Sequence, residues 1–188
     1  MSFYSKIPAF LLALSAMTLA GCVPLHPGSA GNLRRLSKQA VRLDLACQRQ
    51  SAPKLCGLAA MGMVASYYHL AVHAAQLDGL REEAESTGGI SGESLKLVLK
   101  DAGYYVAVFP GTLDRQASGL YHHLDLKRPL IVMTGSGARH YLVAVGYDEA
   151  RALIVLLDPA AGAIATDAGE FMQGWKEANY FTLLAMPN

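Results

Sequence analysis

Cys56 is the residue with the greatest potential for chemistry, because it opens a segment that predicts a helix. Residues 56–69 are small or apolar and contain no proline, which indicates a buried helix with Cys56 at its N-terminus. Unpaired N–H groups and the positive end of the helix dipole favour a thiolate there and lower the pKa from about 8.5. A lone cysteine is more often a small buried residue, so this position leaves a nucleophile and a structural role both open.

Three polar residues elsewhere could serve such a thiolate. His140 follows a glycine-containing turn at the start of a predicted strand, where its ring could face a cleft. Asp158 ends another predicted strand and could orient that ring and stabilise its imidazolium form. Gln50 could donate to an oxyanion beside the Cys56 backbone N–H, with Gln48 as the neighbouring candidate. Each could also be an ordinary surface histidine, turn aspartate or exposed amide.

The elements that must position these residues are helices first and strands later. Helices are predicted over residues 56–69, 74–86, 91–102 (with Ser91 as the N-cap and Gly103 ending the helix) and 169–178. Strands are predicted over residues 104–109, 130–133, 141–147, 153–157 and 180–185, with a hairpin at 147–151. Residues 33–44 could be a helix or a strand docked on the domain. This order predicts an α+β fold.

The first thirty residues predict a signal that targets the protein to the cell envelope, rather than part of the folded domain. Residues 7–19 form an apolar run too short for a bilayer core, which needs about 20 residues, and they suit a signal peptide. The small residues before Cys22 resemble a bacterial lipobox, which implies a signal peptide over 1–21 and a lipid on Cys22. An ordinary secretory signal with an incidental cysteine is the alternative.

The segment after the predicted cleavage point is rich in proline, glycine and serine. Residues 22–32 are therefore expected to be a lipidated cysteine and a flexible tether, followed by one domain over 33–188. Val23 stands where an inner-membrane retention signal has aspartate. By analogy with lipoprotein sorting, this favours the outer membrane facing the periplasm, if the host is Gram-negative.

Composition excludes several other classes of function. The 188 residues carry 16 Lys+Arg against 15 Asp+Glu, so there is no basic excess that would bind nucleic acid. A hydrophobic fraction of 52% excludes a disordered chain. The three cysteines, Cys22, Cys47 and Cys56, provide neither a disulfide framework nor a four-thiolate zinc site, and we expect no cofactor or metal.

Several short motifs occur together in one order. They are Gln50, Cys-Gly-Leu-Ala-Ala-Met at 56–61, Gly-Ile-Ser at 89–91, the strand from His140 that ends in Val-Gly-Tyr-Asp at 145–148, and Asp-Pro at 158–159. In this combination the chain resembles the cysteine peptidase domain of the bacteriocin-processing, double-glycine leader peptidase family. The resemblance implies a papain-like fold, with N-terminal helices packed on an antiparallel sheet.

The same resemblance implies a mechanism. Cys56 would be the nucleophile, His140 the general base and then acid, and Asp158 the residue that orients His140. Gln50 and the Cys56 N–H would hold the oxyanion. The substrate would be a polypeptide cleaved after Gly-Gly in a leader. In a periplasmic location it would be an exported polypeptide, within a secretion or surface-assembly system.

The chain departs from the family pattern at several positions. Leu55 stands where the family usually has aspartate, Ala60 replaces a second cysteine, and no transporter is attached. Arg139, next to His140, is expected to lower the pKa of that ring by repulsion between like charges. These departures affect the expected substrate more than the expected chemistry.

Two other functions remain open on the sequence. One is a murein peptide hydrolase of papain-like design, although such NlpC-type enzymes carry Cys-Ser-Gly where this chain has Cys-Gly-Leu at 56–58. The other is a non-catalytic module that binds leader or client peptides, for which the full set of four polar residues would be unnecessary. A disulfide between Cys47 and Cys56 would block the nucleophile in an oxidising compartment; a free Cys47 is the alternative.

Overall fold

Runs of aliphatic and aromatic residues build an antiparallel sheet at the centre of the molecule. The computed structural model describes residues 33–69, 71–135 and 139–188. Its strands are β1 Val41–Arg42, β2 Tyr104–Pro110, β3 Leu130–Thr134, β4 His140–Asp148, β5 Leu153–Asp158, β6 Gly162–Asp167 and β7 Phe181–Pro187. Their order is β2-β7-β3-β4-β5-β6, and β1 pairs with β4. All these pairs are antiparallel.

Helices pack against this sheet, and the first three lie before most of the strands. They are α1 Cys56–Tyr67, α2 Ala74–Thr87, α3 Gly92–Asp101, α4 Leu120–Asp125 and α5 Ala168–Glu177. Ser91 caps α3 as predicted, because its hydroxyl accepts from the Ser94 N–H at 3.0 Å. The predicted α+β class is confirmed.

Two elements, α4 and β6, were not predicted, because neither has a clear pattern of apolar residues in its own sequence. Helix α4 has only six residues, too few to display a helical period. Strand β6 consists mainly of small residues and pairs with β5 along its whole length, from Leu153↔Asp167 to Asp158↔Gly162. In the 33–44 segment the described strand is limited to the two residues of β1.

The two faces of the sheet are covered by different helices. A Cβ on Gly57 of α1 would lie 3.1 Å from the Tyr141 ring, so α1 covers the face that carries Tyr141. A Cβ on Gly174 of α5 would lie 3.3 Å from Thr134, the strand partner of His140. Because successive residues of a strand point to opposite faces, α1 and α5 lie on opposite sides. Strands β3, β4 and β5 are therefore buried almost throughout.

The N-terminal part of the chain is only partly represented. The predicted signal peptide 1–21, Cys22 and the tether up to residue 32 lie outside the described residues. Within the described ranges, no helix is long and apolar enough to cross a membrane.

Candidate active site

Cys56 is the first residue of α1, as the sequence predicted. Leu55 is the N-cap and makes no side-chain capping bond, so its side chain does not compete for the N–H groups of the first turn. The thiol is largely buried, with Cys56 8% exposed. Burial opposes ionisation, but hydrogen bonds from His140 and from the Tyr141 and Gly57 backbone outweigh it, and the pKa of Cys56 lies below its ordinary value.

His140 and Asp158 meet at the ends of adjacent strands. His140 is the first residue of β4 and Asp158 the last residue of β5, so antiparallel pairing brings them to one edge of the sheet. His140 Nε2 lies 2.7 Å from Asp158 Oδ1. The ring and the Cys56 side chain also interact, since each shifts the pKa of the other, and the bond from Nε2 to Asp158 leaves Nδ1 for the thiol. The structure therefore brings Cys56, His140 and Asp158 together.

The charges of these three residues stabilise one another. The bonds to Asp158 and then to Cys56 raise the pKa of His140 to about 9, against an opposing effect of burial. For Asp158, burial would raise the pKa, but the bonds from His140 and the Ala160 backbone hold it below its usual value. These shifts move Cys56 towards the thiolate, His140 towards the imidazolium and Asp158 towards the carboxylate.

Arg139 does not set the direction of the pKa shift of His140, which is raised. Arg139 is exposed, whereas Asp158 is in direct contact with the ring. The nearer and less exposed carboxylate decides the direction of the shift.

Tyr141 is a contributor that the sequence analysis missed. Its backbone N–H is among the groups that hydrogen-bond to Cys56 and lower the pKa of the thiol. The signal available in the sequence was its place directly after His140, since strand geometry turns its side chain to the α1 face. Its ring packs on Gly57 and contacts Phe181, with ring centroids 5.8 Å apart.

Gln50 bonds to the turn that follows Asp158, and no hydrogen bond joins it to Cys56 among the described residues. Its backbone N–H donates to Pro159 O at 3.0 Å, and its Nε2 donates to Ala52 O at 3.0 Å. Its Oε1 is buried and has no hydrogen-bond partner among the described residues. Gln48 instead donates to Gly62 O at 3.4 Å, further along α1. Gln50 is thus the better placed of the two glutamines, and its role in oxyanion binding stays a prediction.

A short segment before α1 holds the turn that carries Asp158. The Cys47 thiol donates to Asp158 O at 3.6 Å, and Arg49 donates to Ala160 O. The Ala160 N–H donates in turn to Asp158 Oδ1 at 2.6 Å. Because three successive carbonyls of this turn accept bonds from residues 47–50, the carboxylate is fixed in position for His140.

Cys47 is not linked to Cys56. Both thiols are free. Burial raises the pKa of Cys47, and Arg49 only partly offsets it, so this thiol is shifted in the direction opposite to Cys56. The 33–69, 71–135 and 139–188 ranges contain no cluster of three or more histidine, cysteine or carboxylate side chains suited to a metal ion.

Comparison with known proteins gives one family and a consistent set of structures. The model of the Peptidase C39 family matches residues 44–186. The peptidase domain of Streptococcus ComA, a bi-functional ABC transporter involved in quorum sensing, is 20% identical with a TM-score of 0.61; the match covers 76% of this chain and 98% of that chain. No curated protein matches.

Two further solved structures share the fold. A double glycine motif protease from an AMS/PCAT transporter, in complex with the leader peptide, is 18% identical with a TM-score of 0.62, over 81% of this chain and 97% of that chain. The N-terminal peptidase C39 like domain of a toxin secretion ATP-binding protein from Vibrio parahaemolyticus is 14% identical with a TM-score of 0.51, over 74% and 100%. The predicted fold is confirmed, together with the family resemblance.

Proposed function

The chain belongs to the peptidase C39 family, and we propose that it is a cysteine endopeptidase that cleaves a polypeptide after a Gly-Gly-type leader site. The observation that carries this proposal is the His140 ring, which bonds to Asp158 at 2.7 Å and lies near enough to Cys56 to lower the pKa of the thiol. A purely structural cysteine needs no such partner. The arrangement supplies an activated nucleophile, a proton donor and the group that orients the donor.

The reaction begins when the Cys56 thiolate attacks the carbonyl carbon of the scissile bond. His140, already an imidazolium, gives its proton to the leaving amine, and the carbonyl carbon remains bound to Cys56 as a thioester. His140 then takes a proton from water, which attacks the thioester and releases the acid product and Cys56. Asp158 keeps the ring in one orientation through both steps.

The oxyanion is held by the backbone N–H of Cys56 and the side-chain amide of Gln50. The amide nitrogen of Gln50 supports this role, because it carries two hydrogens and its bond to Ala52 O at 3.0 Å uses one of them, which leaves the second for an oxyanion. One such donor is worth about 2.7–4 kcal/mol in kcat.

A preference for glycine before the scissile bond follows from the family resemblance. The buried Tyr141 ring and Ile90 pack on Gly57 itself, where an added Cβ would lie 3.1 Å from the ring. The double glycine motif protease with its leader peptide supports the same substrate class for this chain.

We also propose that a lipid on Cys22 anchors the enzyme to the cell envelope. In a Gram-negative host the anchor would lie in the outer membrane, with the enzyme facing the periplasm. The support is in the sequence, as an apolar run ends in small residues directly before Cys22. An exported polypeptide then meets the enzyme after or during secretion.

Cleavage of leader peptides tests the proposal. The purified chain under reducing conditions should cleave a peptide that contains Gly-Gly and leave the same peptide with Ala-Ala intact. Cys56→Ala should abolish cleavage, and Cys47→Ser, a cysteine control that keeps a hydrogen-bond donor for Asp158 O, should retain it. Leader binding without cleavage by the wild type would contradict the proposal and favour a peptide-binding module. Release of muropeptides from sacculi with no peptide cleavage would favour a murein hydrolase.

A further inference from the structure

A cleft lies on the α5 side of the sheet, next to His140 and Asp158 and on the face opposite α1. It encloses about 340 Å³. Its floor includes Ile164 of β6 and Phe171 of α5, and its rim includes Thr166 and Glu170. We call it the α5 cleft. Cys56 is not part of its lining, so the α5 cleft borders the His140–Asp158 pair from the side away from the nucleophile.

The rim of the α5 cleft carries a carboxylate that is available to a ligand. Thr166 Oγ1 donates to Glu170 Oε2 at 3.3 Å, which orients the carboxylate. Glu170 is exposed, and no lysine or arginine of the described ranges forms an ion pair with it. The other carboxylate of the lining, Asp158, is already bonded to His140. The α5 cleft therefore offers an apolar floor with one acidic group at its edge.

The chemistry decides which half of a substrate reaches this cleft. His140 protonates the leaving amine, so the residues after the scissile bond must pass its ring. The residues before the scissile bond are attached to Cys56, which does not line the α5 cleft. A separate cleft, lined by Phe181 and Arg139 among others, adjoins the Tyr141 ring that packs on Gly57. His140 and Asp158 line the α5 cleft and not the separate cleft, so the α5 cleft is the one beside the group that protonates the leaving amine.

We infer that the α5 cleft binds the first two residues after the scissile bond and that Glu170 selects a lysine or arginine side chain among them. The inference rests on the proposed endopeptidase function and specifies its substrate. The methylene groups of such a side chain would pack on Ile164 and Phe171, while its charge would reach the carboxylate at the rim. Glu170 acts on specificity and takes no part in bond cleavage.

A set of peptides that differ in one residue tests this inference. Each peptide contains the same Gly-Gly leader site, followed by lysine, glutamine or glutamate at the first or the second position. The wild type should show kcat/KM about 5- to 10-fold higher for the best lysine peptide than for its glutamate counterpart, as expected for one partly exposed charge pair. The ratio should fall as salt concentration rises.

Variants assign the preference to one side chain. Glu170→Gln keeps the size of the side chain and should reduce the lysine-to-glutamate ratio to below about 2-fold, and Glu170→Lys should invert it. Glu82→Gln removes the same charge from an exposed position of α2 and should leave the ratio as in the wild type. The rate with the glutamine peptide should change little in Glu82→Gln.

Two results would overturn the inference. One is an equal kcat/KM for the lysine and glutamate peptides in the wild type, and the other is an unchanged ratio in Glu170→Gln. If the wild type cleaves none of the peptides, the proposed function fails separately. Fluorescence anisotropy with the same labelled peptides and Cys56→Ala then still measures the charge preference, and equal affinity for lysine and glutamate peptides would reject the role of Glu170.

Discussion

His140 is the residue on which the proposed chemistry depends, because its ring interacts with both the Asp158 carboxylate and the Cys56 thiol. It donates to the Asp158 carboxylate through Nε2 and faces the Cys56 thiol with its other nitrogen. The sequence predicted these three residues from their places at element ends and from the family pattern. It left open whether Arg139 or Asp158 decides the pKa of His140, because adjacency in sequence does not reveal which charged side chain contacts the ring.

Replacing Asp158 tests the source of the raised pKa of His140. In Asp158→Asn the ring loses its strongest stabilising partner, so its pKa should fall from about 9. The imidazolium is then lost at lower pH, and the alkaline limb of kcat/KM should move to lower pH. We expect kcat to decrease about 10²- to 10⁴-fold, the usual range for impaired acid–base catalysis. A pH–rate profile with the same alkaline limb as the wild type would contradict the assignment.

Gln50 and Gln48 form a natural pair for testing the oxyanion role. Gln50→Ala should lower kcat about 10²- to 10³-fold with little change in KM, because the donor acts mainly on the oxyanion intermediate. Gln48→Ala should have little effect, since Gln48 is exposed and bonds to Gly62 on α1. Steady-state kinetics on one leader peptide measures both. Equal kcat for Gln50→Ala and the wild type would remove Gln50 from the site.

Elements with a clear residue pattern were predicted well, and the two with little local signal, β6 and α4, were not. Helices α1, α2 and α3 follow from apolar runs, a serine cap and glycine stops within the sequence. Strand β6, with the small residues Gly162, Ala163 and Ala165, is specified mainly by its pairing with β5. The segment 47–50 carried no pattern of its own. Its contribution, holding the Asp158 turn, exists only through contacts with residues about 110 positions away.

The contact between β1 and β4 predicts a position-specific requirement for glycine. Gly146 sits at a register shift of β4 opposite Arg42, and a Cβ there would clash with the carbonyl oxygen of Val41. Gly146→Ala should therefore lower the free energy of unfolding by about 1–3 kcal/mol.

Gly79→Ala is the matched control for that substitution. Gly79 lies in the exposed part of α2, where an added Cβ meets nothing within 4 Å. The change should raise the free energy of unfolding by about 0.4–1 kcal/mol, because it restricts the unfolded chain and favours the helix. Urea denaturation of both variants checks the pair. Equal stability of Gly146→Ala and the wild type would contradict the prediction, because it would mean that β1 can move away from the added Cβ with no loss of free energy of unfolding.

The whole molecule is expected to be a peptidase domain on a lipid tether. The expectation of the tether rests on the sequence alone. Full-length protein expressed in a Gram-negative host should fractionate with the outer membrane. Cys22→Ser should remove the lipid and shift the protein from the membrane fraction. Metabolic labelling with a fatty acid, followed by mass spectrometry of the N-terminus, checks the modification. Wild-type and Cys22→Ser protein with the same fractionation and no label would contradict the anchor.

The most direct test of the account is the reactivity of Cys56 itself. Iodoacetamide alkylation of the reduced protein should be followed by mass spectrometry against pH, with Cys47 as the internal comparison. The lowered pKa of Cys56 and the raised pKa of Cys47 predict rapid labelling of Cys56 alone below pH 7. In His140→Ala, labelling of Cys56 should require higher pH, because burial then opposes the thiolate without compensation. Slow labelling of Cys56 with an ordinary thiol profile, unchanged by His140→Ala, would contradict the thiolate–imidazolium mechanism.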